Sequence, residues 1–318
     1  MLNKLKTIKV TDGPEQWVNN LPTDQLVFVD QRTEGWPLVE YYAHLHDTLT
    51  CPSNVIFATS NLLEEQLYAE WACNLPNKIT IISAPFYAGK QRSCLFHKKH
   101  IQYKVDNTIL LYSCLNRILR DHRKALLLML NHYNLLLHGQ VSHNYFDYVN
   151  FPGYNAHAAF TEENLKSISL PLTIDQTDFG INQADNFFKE TYLNTWFSLV
   201  TETFYIEHVG TSVFFSEKIF KPMQASHPFI LVGVPNSLAE LRKLGFQTFD
   251  KWWDESYDTI LDPVLRLDAI CNLINTLSSW DKTKWLTVYA EMQHVLEHNL
   301  SHLLKTNWNA RFEQLTTI

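Results

Sequence analysis

Three short stretches of the sequence combine cations with groups that bind hydroxyls. The first is Asn116-Arg117 followed by Arg120-Asp121-His122-Arg123. Arg123 falls four residues after Leu119 and three before Leu126, which sets its guanidinium on the inward face of a helix, in its first turn. Positive charge there opposes the helix dipole. A bound anion resolves the conflict, with main-chain N–H groups and the guanidinium sharing a phosphate. The competing reading is an internal Arg–carboxylate pair. The second stretch is Phe214-Phe215-Ser216-Glu217-Lys218-Ile219-Phe220-Lys221-Pro222. Ser216 suits an N-cap and Glu217 a first turn, whereas Lys218 and Lys221 again set cations near a helix start. A carboxylate accepts from sugar hydroxyls and an ammonium neutralises phosphate; acid–base neighbours of this kind also occur on solvated helix faces. The third stretch, Glu202-Thr203, closes an apolar run, at the strand end where α/β sheets place ligand contacts. A satisfied carboxylate at the edge of the core is the competing reading.

The elements that must position these groups read as alternating strands and helices. Leu26–Asp30, Asn54–Thr59 and Lys78–Ser83 are short, β-branched apolar runs, separated by helical spacing over Trp36–Asp47 and Asn61–Ala72. The order β-α-β-α-β predicts a parallel sheet with right-handed crossovers. Residues Phe86–Asn107 are basic and unpatterned. The alternation restarts with a strand over Thr108–Ser113 and a helix from His122 to His138, capped by Asp121 and closed by Gly139. Its stripe is Leu119, Leu126, Leu130, Tyr133 and Leu137. A loop-rich piece over Asn150–Asp185 follows. Then come a strand at Trp196–Thr203, a helix at Ser216–Gln224 bent by Pro222, and a strand at Phe229–Gly233. A helix at Asn236–Leu244 ends on Gly245, with a short strand at Gln247–Phe249 behind it. Asp262-Pro263 opens a helix to about Trp280, Asp281 caps the next, and a last helix runs from about Ser301. The predicted architecture is α/β: two Rossmann-like domains, 1–105 and 106–318, facing a cleft, the second carrying a helical C-terminal tail.

Composition bounds what such a chain does. Its 318 residues suffice for two domains, and 46% apolar with 19% charged residues excludes wholesale disorder and collagen-like repeats. With 26 basic and 33 acidic residues the net charge is −7, unsuited to coating nucleic acid. Nine Trp are either large core residues or stacking surfaces for sugars and bases. Five scattered Cys without C-x-x-C form neither a disulfide framework nor a zinc site and fit a reducing compartment. No signal-peptide h-region is evident, and the longest apolar run, near Ala125–Leu130, is far short of a membrane span, so a cytoplasmic protein is expected. His44 and His46, two apart, cannot share a helix face. D-x-D, the P-loop, G-x-G-x-x-G and G-x-S-x-G are all absent.

Residues 108–260 resemble the α1,3-fucosyltransferases and the wider bacterial and phage group sharing their C-terminal half. The resemblance lies in Ser216-Glu217-Lys218-Ile219-Phe220-Lys221-Pro222-Met223-Gln224-Ala225 with His227-Pro228-Phe229-Ile230-Leu231-Val232-Gly233-Val234-Pro235. Gly245–Phe249, Trp253–Asp258, Cys114–Arg117 and His122-Arg123 extend it. Phe214, Ser216 and Thr203 stand where the family has Tyr, Thr and Asn, and the gap from Glu202 to Glu217 is longer. The resemblance implies a GT-B fold and an inverting, metal-independent glycosyltransferase. No cofactor is implied beyond the nucleotide-sugar co-substrate. Asn116, Arg117, Arg123, Glu202, Thr203, Ser216, Glu217, Lys218 and Lys221 would bind the donor. The acceptor would be a glycan hydroxyl or, for a phage-type enzyme, a modified nucleobase in DNA, the only role left to nucleic acid. A basic groove along Arg92–Lys104 would favour DNA. The chemistry needs a base for the acceptor hydroxyl, and Glu34, just beyond the first strand, is the candidate, with Glu40 and Asp30 behind it. The alternatives are a nucleotide- or sugar-binding module without catalysis and, more remotely, a phosphate-ester hydrolase.

Overall fold

A computed structural model of the chain describes residues 6–22, 25–90, 100–116, 118, 120–144, 146, 148–170, 172 and 189–313. The chain divides into two compact units. Unit 1 comprises residues 1–90, 207–215 and 306–318, and unit 2 residues 91–206 and 216–305. The single boundary expected at 105/106 is therefore replaced by four crossings, and residues 306–313 belong with the first unit rather than to a tail of the second.

Unit 1 is a four-stranded parallel sheet. Its elements are β1 (Lys6–Lys9), β2 (Val27–Gln31), α1 (Tyr42–Thr48), β3 (Val55–Thr59), α2 (Glu64–Trp71) and β4 (Thr80–Ser83), in strand order β1-β2-β3-β4. Alternation sorts the strands onto two faces. Val27, Val29, Val55, Phe57, Ile79 and Ile81 pack with Trp17, Leu38, Tyr42, Leu45 and Tyr68 on one. Ala58, Ile82 and Ala84 pack with Phe312 on the other. The helix expected over Trp36–Asp47 begins only at Tyr42, after a single 3-10 turn at Val39–Tyr41. The sequence reading missed β1 because it is an edge strand whose side chains are mostly exposed, so it carries no apolar run.

Two returning segments complete unit 1. Residues 207–215 are tied by Leu62 N to Val213 O (2.9 Å), Asn61 Nδ2 to Thr211 O (2.9 Å) and Ser212 Oγ to Gly35 O (2.6 Å). A Cβ at Gly35 would overlap the Phe214 side chain, so the close approach itself demands glycine there. The C-terminal helix α12 (Ala310–Glu313) places Phe312 against the sheet, with Arg32 over its ring at 5.1 Å and Arg311 paired to Glu65 at 2.8 Å.

Unit 2 contains α3 (His100–Asp106), β5 (Leu110–Asn116), α4 (Asp121–His132), β6 (Gly139–His143), α5 (Glu162–Ser167), α6 (Lys189–Leu193), β7 (Thr195–Thr201), α7 (Glu217–Gln224) and β8 (Phe229–Val232). It ends with α8 (Ser237–Lys243), α9 (Pro263–Ser278), α10 (Lys282–Glu291) and α11 (Gln293–Lys305). All strand pairings are parallel and the order is β6-β5-β7-β8. Every residue of β7 and β8 is buried, as continuous apolar runs require. α4 packs with α5 and α9, whereas α7 packs with α11.

Four expectations change here. The helix predicted to His138 stops at His132, because Asn134 turns left-handed (φ 56°) and Leu137, the next residue of the stripe, is 90% exposed with nothing to bury against. Gly139 therefore starts β6 instead of closing a helix. β6 is a half-polar edge strand, which hid it from a search for apolar runs. Asp121 is the first helical residue and Arg120 the N-cap. Gln247–Phe249 forms no strand, since side chains satisfy its backbone: Asn299 bonds Gln247 through both N–H and C=O (each 2.8 Å) and Glu255 accepts from Phe249 N (2.7 Å). The caps at Asp262 and Asp281 and the left-handed Gly245 form as read.

A basic groove along Arg92–Lys104, the feature that would favour DNA, does not extend to its last member, and residues 92–99 lie outside the described residues. Lys104 is fully buried. Its ammonium donates to the carbonyls of Tyr192 (3.2 Å), Leu193 (3.2 Å) and Thr195, and lies over Trp196 at 5.3 Å and Tyr289 at 5.1 Å. It pins α3 to the turn between α6 and β7 and offers no charge to nucleic acid. Among the described residues no helix is long and apolar enough to cross a membrane.

Two outcomes are expected. Phe312→Ala should lower the stability of unit 1 by about 3 kcal/mol in urea unfolding, as for other buried Phe truncations. Burial also pulls the Lys104 pKa down to about 7, against about 10.4 for an unfolded chain. The unfolded state then binds the extra proton between those values, so stability conferred at this site rises with pH through that window and falls as pH drops toward 7. Subtracting the curve of Lys104→Met from that of the native protein between pH 6.5 and 8.5 isolates this slope. A flat difference would mean that the three carbonyls keep the ammonium charged.

Candidate functional site

The strand order of unit 2 reverses at β5: the chain moves to one side for β6 and to the other for β7 and β8. A crevice opens outside the carboxyl ends of strands at such a point, and ligands of open parallel sheets bind there. Two helices start beside these strand ends. α4 follows β5 after the turn carrying Ile118 and Arg120, and α7 begins directly after Ser216. The first-turn N–H groups of both present partial positive charge.

Arg123 is the centre of this region. It is 2% exposed, and its guanidinium spans three main-chain oxygens: Nη1 donates to Ile118 O (2.9 Å), Nη2 to Thr201 O (3.1 Å) and Glu202 O (3.2 Å). The inward placement expected from its spacing is met, but neither the internal carboxylate pair nor a free phosphate grip describes it. Its Nε has no hydrogen-bond partner among the described residues. Burial, with Arg120 adding to it, pulls the Arg123 pKa down to about 10, so it stays charged at neutral pH. His122 follows the same route: its Nε2 lies 3.1 Å from Glu202 O, and its ring stacks on Tyr205. Burial, then Arg123, holds the imidazole neutral well below its usual range.

Glu202, 2% exposed, presents Oε2 to the Ser216 hydroxyl (2.6 Å), to Ser216 N (3.2 Å) and to Thr203 N (3.3 Å), while Oε1 is buried without a partner among the described residues. Burial raises its pKa despite Lys218 and Ser216. Ser216 caps α7 as expected, accepting from Lys218 N. Its Oγ also receives the Lys218 ammonium at 2.8 Å, and Glu217 Oε1 lies 3.7 Å from that ammonium. Burial would raise Glu217, but Lys218, Lys221 and Arg123 outweigh it and the pKa falls, so Glu217 is ionised. The side chains of Lys218 and Glu217 keep 29% and 24% exposure and can meet a ligand. Thr203 is partly exposed beside them.

The other expected residues divide. Asn116 is buried and turned inward, accepting from the Thr201 hydroxyl and donating to Cys114 Sγ (3.1 Å), so it ties β5 to β7 instead of facing a ligand. Arg117 lies outside the described residues. Lys221 sits in α7, close enough to Glu217 to stabilise its charge. Glu34 is in unit 1, in the turn after β2, where its N–H bonds Gln31 O (3.0 Å) and its carbonyl accepts from Ser60 N (3.2 Å). Asp30 is held by Arg32 through both oxygens (2.8 and 2.9 Å). Burial would raise its pKa, but the Arg32 pair outweighs it and the pKa falls, leaving an ionised carboxylate with both oxygens engaged and weakened as a base. His143 was not foreseen because β6 was not. It is 1% exposed at the end of that strand, near Arg123 and Lys124, and burial lowers its pKa.

No group of three or more His, Cys, Asp or Glu able to hold a metal occurs among the described residues. A hollow of about 370 Å³ lined by Leu110, Trp196, Trp280 and Trp285 lies at the amino ends of β5 and β7, the opposite end of the sheet from Glu202. Topology and charge both favour the carboxyl ends.

Replacing Arg123 by Lys, whose compact ammonium cannot span the carbonyls that the two Nη groups reach from different positions, should lower the stability of unit 2 by roughly 2–3 kcal/mol in urea unfolding. Undiminished stability would show that the guanidinium is not the link between these strand ends. No protein-family model and no curated protein matches the chain.

Proposed function

We propose that the protein is an inverting, metal-independent glycosyltransferase of the fucosyltransferase-like kind, taking its donor from a nucleotide sugar. One observation carries the reading: ionised Glu217, the Lys218 ammonium and the amino ends of α4 and α7 converge at the carboxyl ends of β5 and β7, where the strand order reverses. That constellation suits a ligand bearing both hydroxyls and a diphosphate. A GT-B-like pair of Rossmann-like units is the fold this reading assumes.

In the reaction, a base removes the acceptor hydroxyl proton as its oxygen attacks the anomeric carbon from the face opposite the diphosphate. The new C–O bond forms as the old one breaks, and the electron pair leaves on the diphosphate. Lys218 and the two helix starts offset that developing charge. Arg123 acts differently from its first assignment: both Nη groups hold the strand ends, so it shapes the crevice instead of gripping phosphate. Glu34 is the proposed base. A glycan hydroxyl is the preferred acceptor, since the net charge of −7 disfavours DNA. Among the described residues Cys51, Cys73, Cys114 and Cys271 form no disulfide, which supports a reducing, cytoplasmic setting.

A second reading, a nucleotide- or sugar-binding module without turnover, draws support from the commitment of Asn116 and Arg123 to protein partners. A thermal-shift screen of GDP-, UDP-, CMP- and dTDP-sugars separates the possibilities. A true donor at one hundred times its Kd should stabilise the native state by about 2.7 kcal/mol. Glu34→Gln should then abolish transfer while leaving donor affinity unchanged. Absence of binding by every nucleotide sugar would overturn both readings, and binding without transfer in the native protein would favour the module.

A further inference from the structure

The hydrogen bonds around Ser216 have a direction. A hydroxyl has one proton to give and lone pairs to receive. Ser216 Oγ lies 2.6 Å from Glu202 Oε2, which also accepts from the Ser216 and Thr203 N–H groups, so the hydroxyl proton goes to Glu202. The lone pairs then face Lys218, whose ammonium, a donor only, sits 2.8 Å away, and whose N–H sits 3.4 Å away. Ser216 N donates to the same carboxylate oxygen, which fixes the cap from both its main chain and its side chain. Glu202 and Ser216 are 2% and 3% exposed, whereas the Lys218 side chain keeps 29% exposure. Two buried groups thus hold one accessible cation.

We propose that Glu202 and Ser216 are positioning residues, a directed relay that aims the Lys218 ammonium at an anionic phosphate or diphosphate bound at the start of α7. This rests on the reading that unit 2 binds a nucleotide sugar, and it moves Glu202 and Ser216 from ligand contacts to supports. Glu202 sets the hydroxyl, the hydroxyl sets the ammonium, and only the ammonium meets the anion. A lysine without such support would spread its charge over many rotamers and contribute less to a fixed anion.

Inorganic pyrophosphate, titrated calorimetrically into the native protein and its variants, tests the relay. Lys218→Met and Ser216→Ala should each weaken binding at least tenfold, and Ser216→Thr, which keeps the hydroxyl, should restore it. The double-mutant cycle discriminates. If Ser216 acts through Lys218, adding Ser216→Ala to Lys218→Met weakens binding no further. If Ser216 is only a helix cap, the two losses multiply and the relay is overturned. Glu202→Gln should weaken pyrophosphate in the native background and leave it unchanged in Lys218→Met; a loss in both backgrounds overturns the relay. Thermal unfolding of each variant confirms that the folded state is being titrated. Pyrophosphate binding that survives Lys218→Met overturns the relay alone, whereas a native protein that binds neither pyrophosphate nor any nucleotide sugar overturns the donor reading with it.

Discussion

The region at the end of β7 depends on one buried cation. Arg123 holds three carbonyl oxygens from two separate stretches of chain. Main-chain carbonyls at strand ends have lost their ladder partners and cannot be left dry without cost. The guanidinium fork resolves this with a rigid, planar donor set, at the expense of burying a charge at the start of a helix whose dipole opposes it. Glu202 and Glu217 lie close enough to temper that charge without touching it. The result is a tied set of strand ends beside Glu217 and Lys218, whose side chains stay partly exposed.

A similar economy operates in unit 1. Its sheet is small, and on its second face Ala58, Ile82 and Ala84 pack with Phe312, a residue more than two hundred positions downstream of the strands it packs on. The short segment 207–215 adds main-chain pairing at Asn61 and Leu62 and requires Gly35 to be bare. Each unit therefore includes chain that a linear division would give to the other.

Much of the fold was legible because it rests on local physics. Continuous apolar runs marked β2, β3, β7 and β8, since strands buried on both faces have no polar side. Edge strands β1 and β6 escaped the same search because neither carries a continuous apolar run: β1 is mostly exposed and β6 is half polar in sequence. Within the site, Ser216 and Glu217 were readable from capping chemistry, and the inward face of Arg123 from helical spacing. Its partners were not readable. Carbonyl oxygens belong to every residue and leave no trace in composition, whereas a carboxylate partner would have announced itself by type. Asn116 was misjudged for the same reason: an amide beside a strand end looks identical whether it faces a ligand or bonds the neighbouring strand's hydroxyl.

What the amino-acid order determined by itself is the α/β class, the parallel strands of the two cores and the helix starts at Ser216, Asp262 and Asp281, because each follows from periodicity or from a cap within three residues. Tertiary structure alone decided which strand ends meet, that 207–215 and 306–313 belong to the first unit, and that Arg123 and Lys104 spend their donors on backbone. Those outcomes depend on contacts between residues far apart in the chain, whose energies are set by geometry that no local pattern encodes.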